Sequence, residues 1–341
     1  MVLKRFRRPM SDKTPLDGAQ VVLADLDGVI YRGPGAIEYA VESINAIDPS
    51  VRVGYLTNNA SRTDATVASH LTELGLTVAP ADVVTSPQAA VRLLADLVPQ
   101  GATVLVVGGE GLTSEVERVG LVVTRSAEDS PAAVIQGFDP TVGWTHLAEA
   151  CFALNGGGES VHWVATNTDW TIPQARGIAP GNGTLVSAVH TAVGRLPIVA
   201  GKPEVAIYEE AFLRFGSRAA LMIGDRLDTD IRGANRAGIP SVLVLTGIDK
   251  AKQVLAAAPE DRPTYILDDL RGLHQEYPEV VTEESGGVVD TIVGEARVRR
   301  AGQRLTIESG SGIDLLRAGS AAIWNSGLAI YALEVPPELY S

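Results

Sequence analysis

VVLADLDGV, residues 21–29, sets two aspartates one residue apart, Asp25 and Asp27, at the end of an apolar run and just ahead of a glycine. Such a run reads as a strand buried on both faces, the kind found in a parallel sheet covered by helices. Ligands of open α/β sheets bind beyond the carboxyl ends of the strands, which is where the two aspartates fall. Residues i and i+2 project to one side, so the two carboxylates repel and one keeps its proton unless a cation lies between them. Mg²⁺ prefers oxygen donors and commonly bridges to a substrate phosphate. A carboxylate is also a nucleophile able to form an aspartyl-phosphate, while its neighbour serves as general acid and then base. On these residues alone, an Asp-Gly turn with a solvated second aspartate explains the pattern equally well.

The same apolar texture recurs in VRVGYLT, TVLVVG, AAVIQG, VHWVAT, AALMIGD and PSVLVL, with amphipathic stretches between them. That alternation predicts an α/β fold with a mostly parallel sheet. Seven candidate strands exceed what one small sheet needs, which predicts two α/β units, one inserted in the other. After Pro263 the texture changes: ARVRRAGQRLTIES predicts a hairpin around Ala301 and Gly302, GIDLLRAGSAAIWNSG a helix, and LAIYALEV a last strand, together a separate small α+β unit.

Bulk properties narrow the function. The 341 residues are 45% hydrophobic and 20% charged, ordinary for a soluble globular protein. No apolar run approaches the roughly 20 residues that span a bilayer, and the basic N-terminal stretch leads into no signal-like segment, so a cytoplasmic protein without membrane insertion is expected. The formal net charge of -13 argues against nucleic acid or an anionic membrane as main partner. A small phosphate ester is the expected partner, and a homo-oligomer stays open. The single cysteine, Cys151, excludes an intramolecular disulfide and reads as a small buried apolar group on a helix.

Three more segments bear on the aspartates. GYLTNNAS, residues 54–61, runs a strand into Thr57, Asn58 and Asn59, whose side chains and amides are candidate phosphate donors where a helix begins. LMIGDRLDTDI, residues 221–231, ends another strand in Asp225, with Asp228 and Asp230 following. Of five lysines, Lys202 in VAGKPE is the one beside both a turn signal and an apolar strand, where a fixed ammonium would neutralise a carboxylate and a phosphate together. Each segment alone also fits a capped turn. VVGGEGL, residues 106–112, lacks the full dinucleotide-binding pattern, and the histidines show no ligand spacing.

The order DxDGV, LTNN, GKP, GDRLDTD resembles the haloacid dehalogenase superfamily of phosphatases, and the long insertion between LTNN and GKP resembles the C2-type cap of its NagD-like branch. VATNTD (164–169) and PGNGTLVSAV (180–189) are similar to segments of that cap. Overall the chain is similar to actinobacterial glycerol-3-phosphate phosphatases that carry a C-terminal segment resembling part of an acetyltransferase (GNAT-like) fold. The resemblance implies a Rossmann-like core over 17–85 and 197–272, a cap over 86–196 and the GNAT-like unit over 280–341. It also implies Asp25 as nucleophile, Asp27 as acid/base, Thr57 and Asn58 as phosphate donors, and Lys202 as charge balancer. Mg²⁺ would be held by Asp25, Asp225 and the backbone carbonyl of Asp27, with Asp230 ordering the site from behind. In the cap, Asn167, Asp169 and Arg176 are expected to bind substrate: the first two through hydroxyls of glycerol 3-phosphate, Arg176 through a carboxylate such as that of 2-phosphoglycolate. Trp170 is a second pocket candidate. A nucleotide phosphatase, a phosphotransferase or phosphomutase, and a regulatory binding protein are the rival readings.

Overall fold

The computed structural model describes residues 13–174 and 176–340. Val21–Ala24, Arg52–Thr57, Val83–Thr85, Ala220–Gly224, Ser241–Val244 and Tyr265–Leu267 form a six-stranded sheet in which every pairing is parallel. Val21–Ala24 lies between Arg52–Thr57 and Ala220–Gly224. Numbered along the chain, the strands run 3-2-1-4-5-6 across the sheet, the doubly wound order, with its reversal between Val21–Ala24 and Ala220–Gly224. The central strands Val21–Ala24 and Ala220–Gly224 are fully buried and hence apolar without alternation. Their carboxyl ends deliver Asp25 and Asp225 to the crevice where the winding reverses.

The insertion builds a second parallel sheet, ordered Ile198–Val199, His162–Ala165, Ala133–Gln136, Thr103–Val107, Val122–Thr124. Ile198–Val199 lies beyond the expected cap limit of 196 and pairs with His162–Ala165, not with the core sheet. The sequence places an apolar strand beside Lys202, but with a proline at 197 and only two paired residues it does not say which sheet that strand joins. The helix Ser86–Leu97 sits between the two sheets. Thr85 caps it, its hydroxyl accepting from the Gln88 amide while the Gln88 side chain accepts from the Thr85 amide. One apolar cluster runs from Leu23 and Leu56 through Ala90 and Leu94 to Val104, Ile135 and Val164. The cap is therefore seated on the core by continuous packing, and truncating Leu94 to alanine would cost about 2–5 kcal/mol.

The C-terminal residues form an antiparallel sheet of Val281–Ser285, Val288–Val293, Ala296–Ala301 and Arg304–Ser309, covered by the helix Gly312–Trp324. The hairpin at Ala301 and Gly302 and the helix match expectation. The charged, outward-facing residues of TEES hide the first strand, whereas the mostly apolar Val288–Val293 was not read as a strand. LAIYALEV is not a strand: it makes a short 3-10 turn, Ile330–Ala332, and a single bridge at Glu334. Prolines 336 and 337 follow at once, and the Glu334 carbonyl is used up by the Leu305 amide at 3.0 Å. Nor is this unit separate. Val293, Val298, Leu315 and Ala322 share one apolar cluster with Leu227, Ile231, Val254 and Ile266 of the core. Among the described residues no helix is long and apolar enough to cross a membrane.

Candidate active site

The Lys202 ammonium is buried and donates to Asp25 Oδ1 at 2.6 Å and Asp230 Oδ1 at 2.7 Å. Burial alone would lower its pKa, but Asp230 and Asp25 outweigh that and raise it, so the lysine stays charged. The other Asp230 oxygen accepts the amides of Asp225 and Arg226, both at 3.2 Å. Both of its oxygens are thus committed, and Asp230 orders the site from behind. A Cβ at Gly224 would lie 2.1 Å from that of Asp230, which explains the glycine in Gly-Asp.

Carboxylate oxygens of Asp25, Asp225 and Asp230 lie within 4.8 Å of one another. Burial raises the Asp25 pKa well above 3.8; Lys202 opposes the shift, while Asp230 and Asp225 add to it. Asp225 is pushed up to about 7, by burial first and Asp230 second. Its Oδ2 accepts the Ile248 amide at 2.7 Å, and its Oδ1 is buried with no partner. An orphaned carboxylate oxygen facing further carboxylates is a donor set for a hard divalent cation. Gly28, at φ 86°, and Gly247 make the cradle: a Cβ there would stand 2.3 and 1.9 Å from Asp225 Oδ2. Asp27 is exposed, yet the protein around it removes enough water to raise its pKa against the opposing pull of Arg62, Lys202 and His70.

Thr57 is buried, and its hydroxyl oxygen accepts the Asn59 amide at 3.1 Å, leaving its proton free to donate elsewhere. The neighbouring side chains differ from expectation. Asn59 is exposed, and its carboxamide oxygen accepts the amide and hydroxyl of Ser61. The Asn58 carboxamide donates to the Lys202 carbonyl at 3.0 Å and to Asp169 Oδ1 at 3.1 Å, and accepts the Lys202 amide at 2.8 Å. It is fully engaged within the protein, so only the backbone amide of Asn58 is left for phosphate. Asn167 is buried and likewise engaged: it donates to the Asn58 carbonyl at 2.7 Å and accepts the Asp169 amide at 3.1 Å. The first bond joins cap to core and the second holds the turn to Asp169 within the cap, a structural use of the side chain expected to bind glycerol.

Asp169 stands against the core site, its carboxyl raised by burial and lowered in turn by Asn58, Arg226 and Lys202. Arg176 is exposed in the turn between the strands Thr171–Gln174 and Gly177–Pro180, and no contact brings it to the aspartates. Trp170 is 65% exposed, whereas Trp163 is core. Cys151 is half-buried rather than buried, its thiol pKa raised by that burial. Asp228 is exposed and pairs with Arg226 at 2.8 Å. In VVGGEGL, a Cβ on Gly109 would lie 2.1 Å from Asp139 Oδ2, so a carboxylate already occupies the space at the helix start. Arg62, Arg226 and Gly247 escaped the sequence reading, and Gly28 was read only as a turn residue. The motif-adjacent positions of Arg62 and Arg226, in LTNNASR and GDR, were the only signal they carried.

A doubly wound sheet whose reversal point gathers carboxylates around one buried lysine, beneath an inserted cap, defines a class of phosphoryl-transferring α/β hydrolases. Family models for haloacid dehalogenase-like hydrolase and for HAD-hydrolase-like sequences match residues 22–122 and 199–273. The chain belongs to the haloacid dehalogenase-like hydrolases and is a phosphoric monoester hydrolase of the NagD-like branch. It is 46% identical over 310 residues to a D-glycerol 3-phosphate phosphatase of Mycobacterium tuberculosis, covering 90% of this chain and 86% of that one. It is 34% identical over 251 residues to a 5'-nucleotidase of Bacillus subtilis, covering 73% and 94%. The crystal structure of glycerol phosphate phosphatase from M. tuberculosis in complex with magnesium superposes with a TM-score of 0.80 at 43% identity over 92% of each chain.

Proposed function

We propose that this phosphatase is Mg²⁺-dependent and acts on a small phosphate monoester, with glycerol 3-phosphate as the preferred substrate. The observation that carries the reading is Lys202 bridging Asp25 and Asp230 beside the unpartnered oxygen of Asp225. Asp25 attacks phosphorus in line and becomes the aspartyl-phosphate. Asp27, whose raised pKa suits an acid, protonates the leaving alkoxide and then takes a proton from the water that hydrolyses the intermediate. Lys202 holds one Asp25 oxygen and balances its charge. The Thr57 hydroxyl and the Asn58 amide supply donors to the phosphoryl oxygens. Mg²⁺, held by Asp25, Asp225 and the carbonyl of Asp27, would offset the charge on the transferring group.

A cap seated over the strand ends limits the size of the leaving group, and a net charge of -13 repels polyanions, so a small polar ester fits best. The similarity to the mycobacterial enzyme favours glycerol 3-phosphate over 2-phosphoglycolate, since the exposed Arg176 provides no fixed partner for a carboxylate. The test is a panel of phosphate esters with Mg²⁺, scored by kcat/KM and by release of inorganic phosphate without an acceptor. Glycerol 3-phosphate should lead. A nucleotide or 2-phosphoglycolate exceeding it tenfold would overturn the substrate assignment and leave the hydrolase chemistry standing.

A further inference from the structure

The three hydrogen bonds of the Asn58 carboxamide fix its orientation without ambiguity. The Lys202 amide can only donate, so the atom facing it at 2.8 Å is the oxygen. The Lys202 carbonyl and the Asp169 carboxylate accept, so the atom facing both, at 3.0 and 3.1 Å, is the nitrogen. One carboxamide thus grips both backbone polar groups of a single residue, the one whose ammonium holds Asp25. Gly201 makes the grip sterically feasible, because a Cβ there would lie 2.6 Å from Asn58 Oδ1. From the cap side, Asp169 takes the remaining hydrogen of the Asn58 amide nitrogen. Asn167 fixes Asp169 through its amide at 3.1 Å and takes the Asn58 carbonyl at 2.7 Å. Asn182 holds the Asn167 carbonyl at 2.7 Å.

We infer that Asn58 is a positioning residue that couples cap seating to the placement of Lys202, with Asp169 as its cap-side anchor and not a contact for the substrate's hydroxyls. The Lys202 ammonium then stands at 2.6 Å from Asp25 only while the cap carboxylate keeps the Asn58 amide turned toward the lysine backbone. Losing the clamp lets the lysine backbone shift, and small misplacements at a reacting centre cost up to about 100-fold in rate. The inference rests on the phosphatase reading but not on the choice of ester.

The experiment measures kcat and KM of the full chain with Mg²⁺ on two esters, glycerol 3-phosphate and p-nitrophenyl phosphate, which has no hydroxyls for the cap to read. Asn58→Ala should lower kcat on both esters about 10- to 100-fold, with KM changed less than about threefold. Asp169→Ala should lower kcat on both in the same sense. The double variant should be no more than about twice as slow as Asn58→Ala, because one linkage has been cut twice. Asp169→Asn keeps an oxygen for the Asn58 amide and should lose several-fold less than Asp169→Ala. If Asn58→Ala does not fold, the isosteric Asn58→Asp, which keeps the acceptor and loses both donations, takes its place with the same expectation. The inference is overturned if Asn58→Ala keeps more than half of kcat. It is equally overturned if Asp169→Ala raises KM for glycerol 3-phosphate alone, or if the two losses multiply. Wild-type protein inert toward both esters would instead sink the phosphatase reading itself.

Discussion

Replacing Lys202 with methionine keeps the length of the side chain and removes the one cation between Asp25 and Asp230. At 2.6 and 2.7 Å each contact is worth about 6 kcal/mol of Coulomb attraction at an effective dielectric near 20. Most of that repays the desolvation of the ammonium, so the measurable loss is the about 3–5 kcal/mol seen when one partner of a buried pair is deleted. Asp25 recovers part of it by taking a proton, leaving an expected destabilisation of about 2–4 kcal/mol at pH 8. That corresponds to roughly 5–15 °C in Tm. The pH dependence follows from the raised pKa of Asp25: its folded-state value lies above the ordinary 3.8, so its contribution is full below 3.8 and is lost as pH rises through the folded value. Lys202 lowers that value, so its removal extends the loss to higher pH. The stability gap between variant and wild type should therefore widen from pH 5 to pH 8. Urea unfolding in excess EDTA at both pH values measures the gap, and turnover with Mg²⁺ should fall roughly 10²- to 10³-fold. A gap that is absent or independent of pH, with more than a tenth of activity kept, would refute the reasoning.

Asp25→Asn should abolish turnover and leave no phosphoenzyme in an acid quench, whereas Asp27→Asn should slow both proton transfers, each by roughly 10²- to 10⁴-fold, and let phosphoenzyme accumulate. Chelation with EDTA should abolish activity, Mg²⁺ should restore it and Ca²⁺ should inhibit, because Ca²⁺ takes more ligands at longer distances; full activity in excess chelator would remove the metal from the chemistry. Gly247→Ala would put a Cβ 1.9 Å from Asp225 Oδ2 and 2.3 Å from its Cβ, so the Mg²⁺ concentration for half-activation should rise at least about tenfold and Tm should fall with it. Deleting the residues after 278 should leave the motifs in place but expose the faces of Leu227, Ile231, Val254 and Ile266, so that the truncated protein aggregates or melts well below the full chain. A truncated protein of unchanged Tm would contradict the shared core.

Strands buried on both faces announce themselves as apolar runs, and all seven read from sequence are present. The short edge strands Val83–Thr85, Val122–Thr124 and Tyr265–Leu267 were missed because three residues carry too little pattern to separate them from loop. The aspartates and Lys202 stood out through the order of four motifs, since each segment alone also fits a capped turn, and the structure brings Asp25, Asp225, Asp230 and Lys202 together. The roles of Asn58 and Asn167 were not legible. A carboxamide serves phosphate, backbone and carboxylate with the same atoms, and only the fold decides which partner lies within 3 Å. The tail was misjudged for a related reason. Leu227 and Ile231 lie in an acidic motif, yet they share one apolar cluster with Leu315 and Ala322 of the C-terminal helix.

Two like charges at the end of Val21–Ala24 become intelligible through the charge balance of the crevice. Asp25, Asp225 and Asp230 share one ammonium, so the pocket holds more negative charge than its lysine cancels before any phosphate arrives. The protein alone has one remedy, protonation, and the value of about 7 at Asp225 shows how far repulsion and burial push that carboxylate toward it. Protonation, however, removes the donor that a divalent cation needs, so proton and metal compete for Asp225. Lys202 opposes the same shift at Asp25 by holding one of its oxygens at 2.6 Å, and Asp230 holds the lysine at 2.7 Å. The excess charge is thus divided between a permanent cation that orients the nucleophile and an exchangeable one that the carboxylates recruit. That division requires aspartates on two adjacent strands, which the reversal of winding between Val21–Ala24 and Ala220–Gly224 provides.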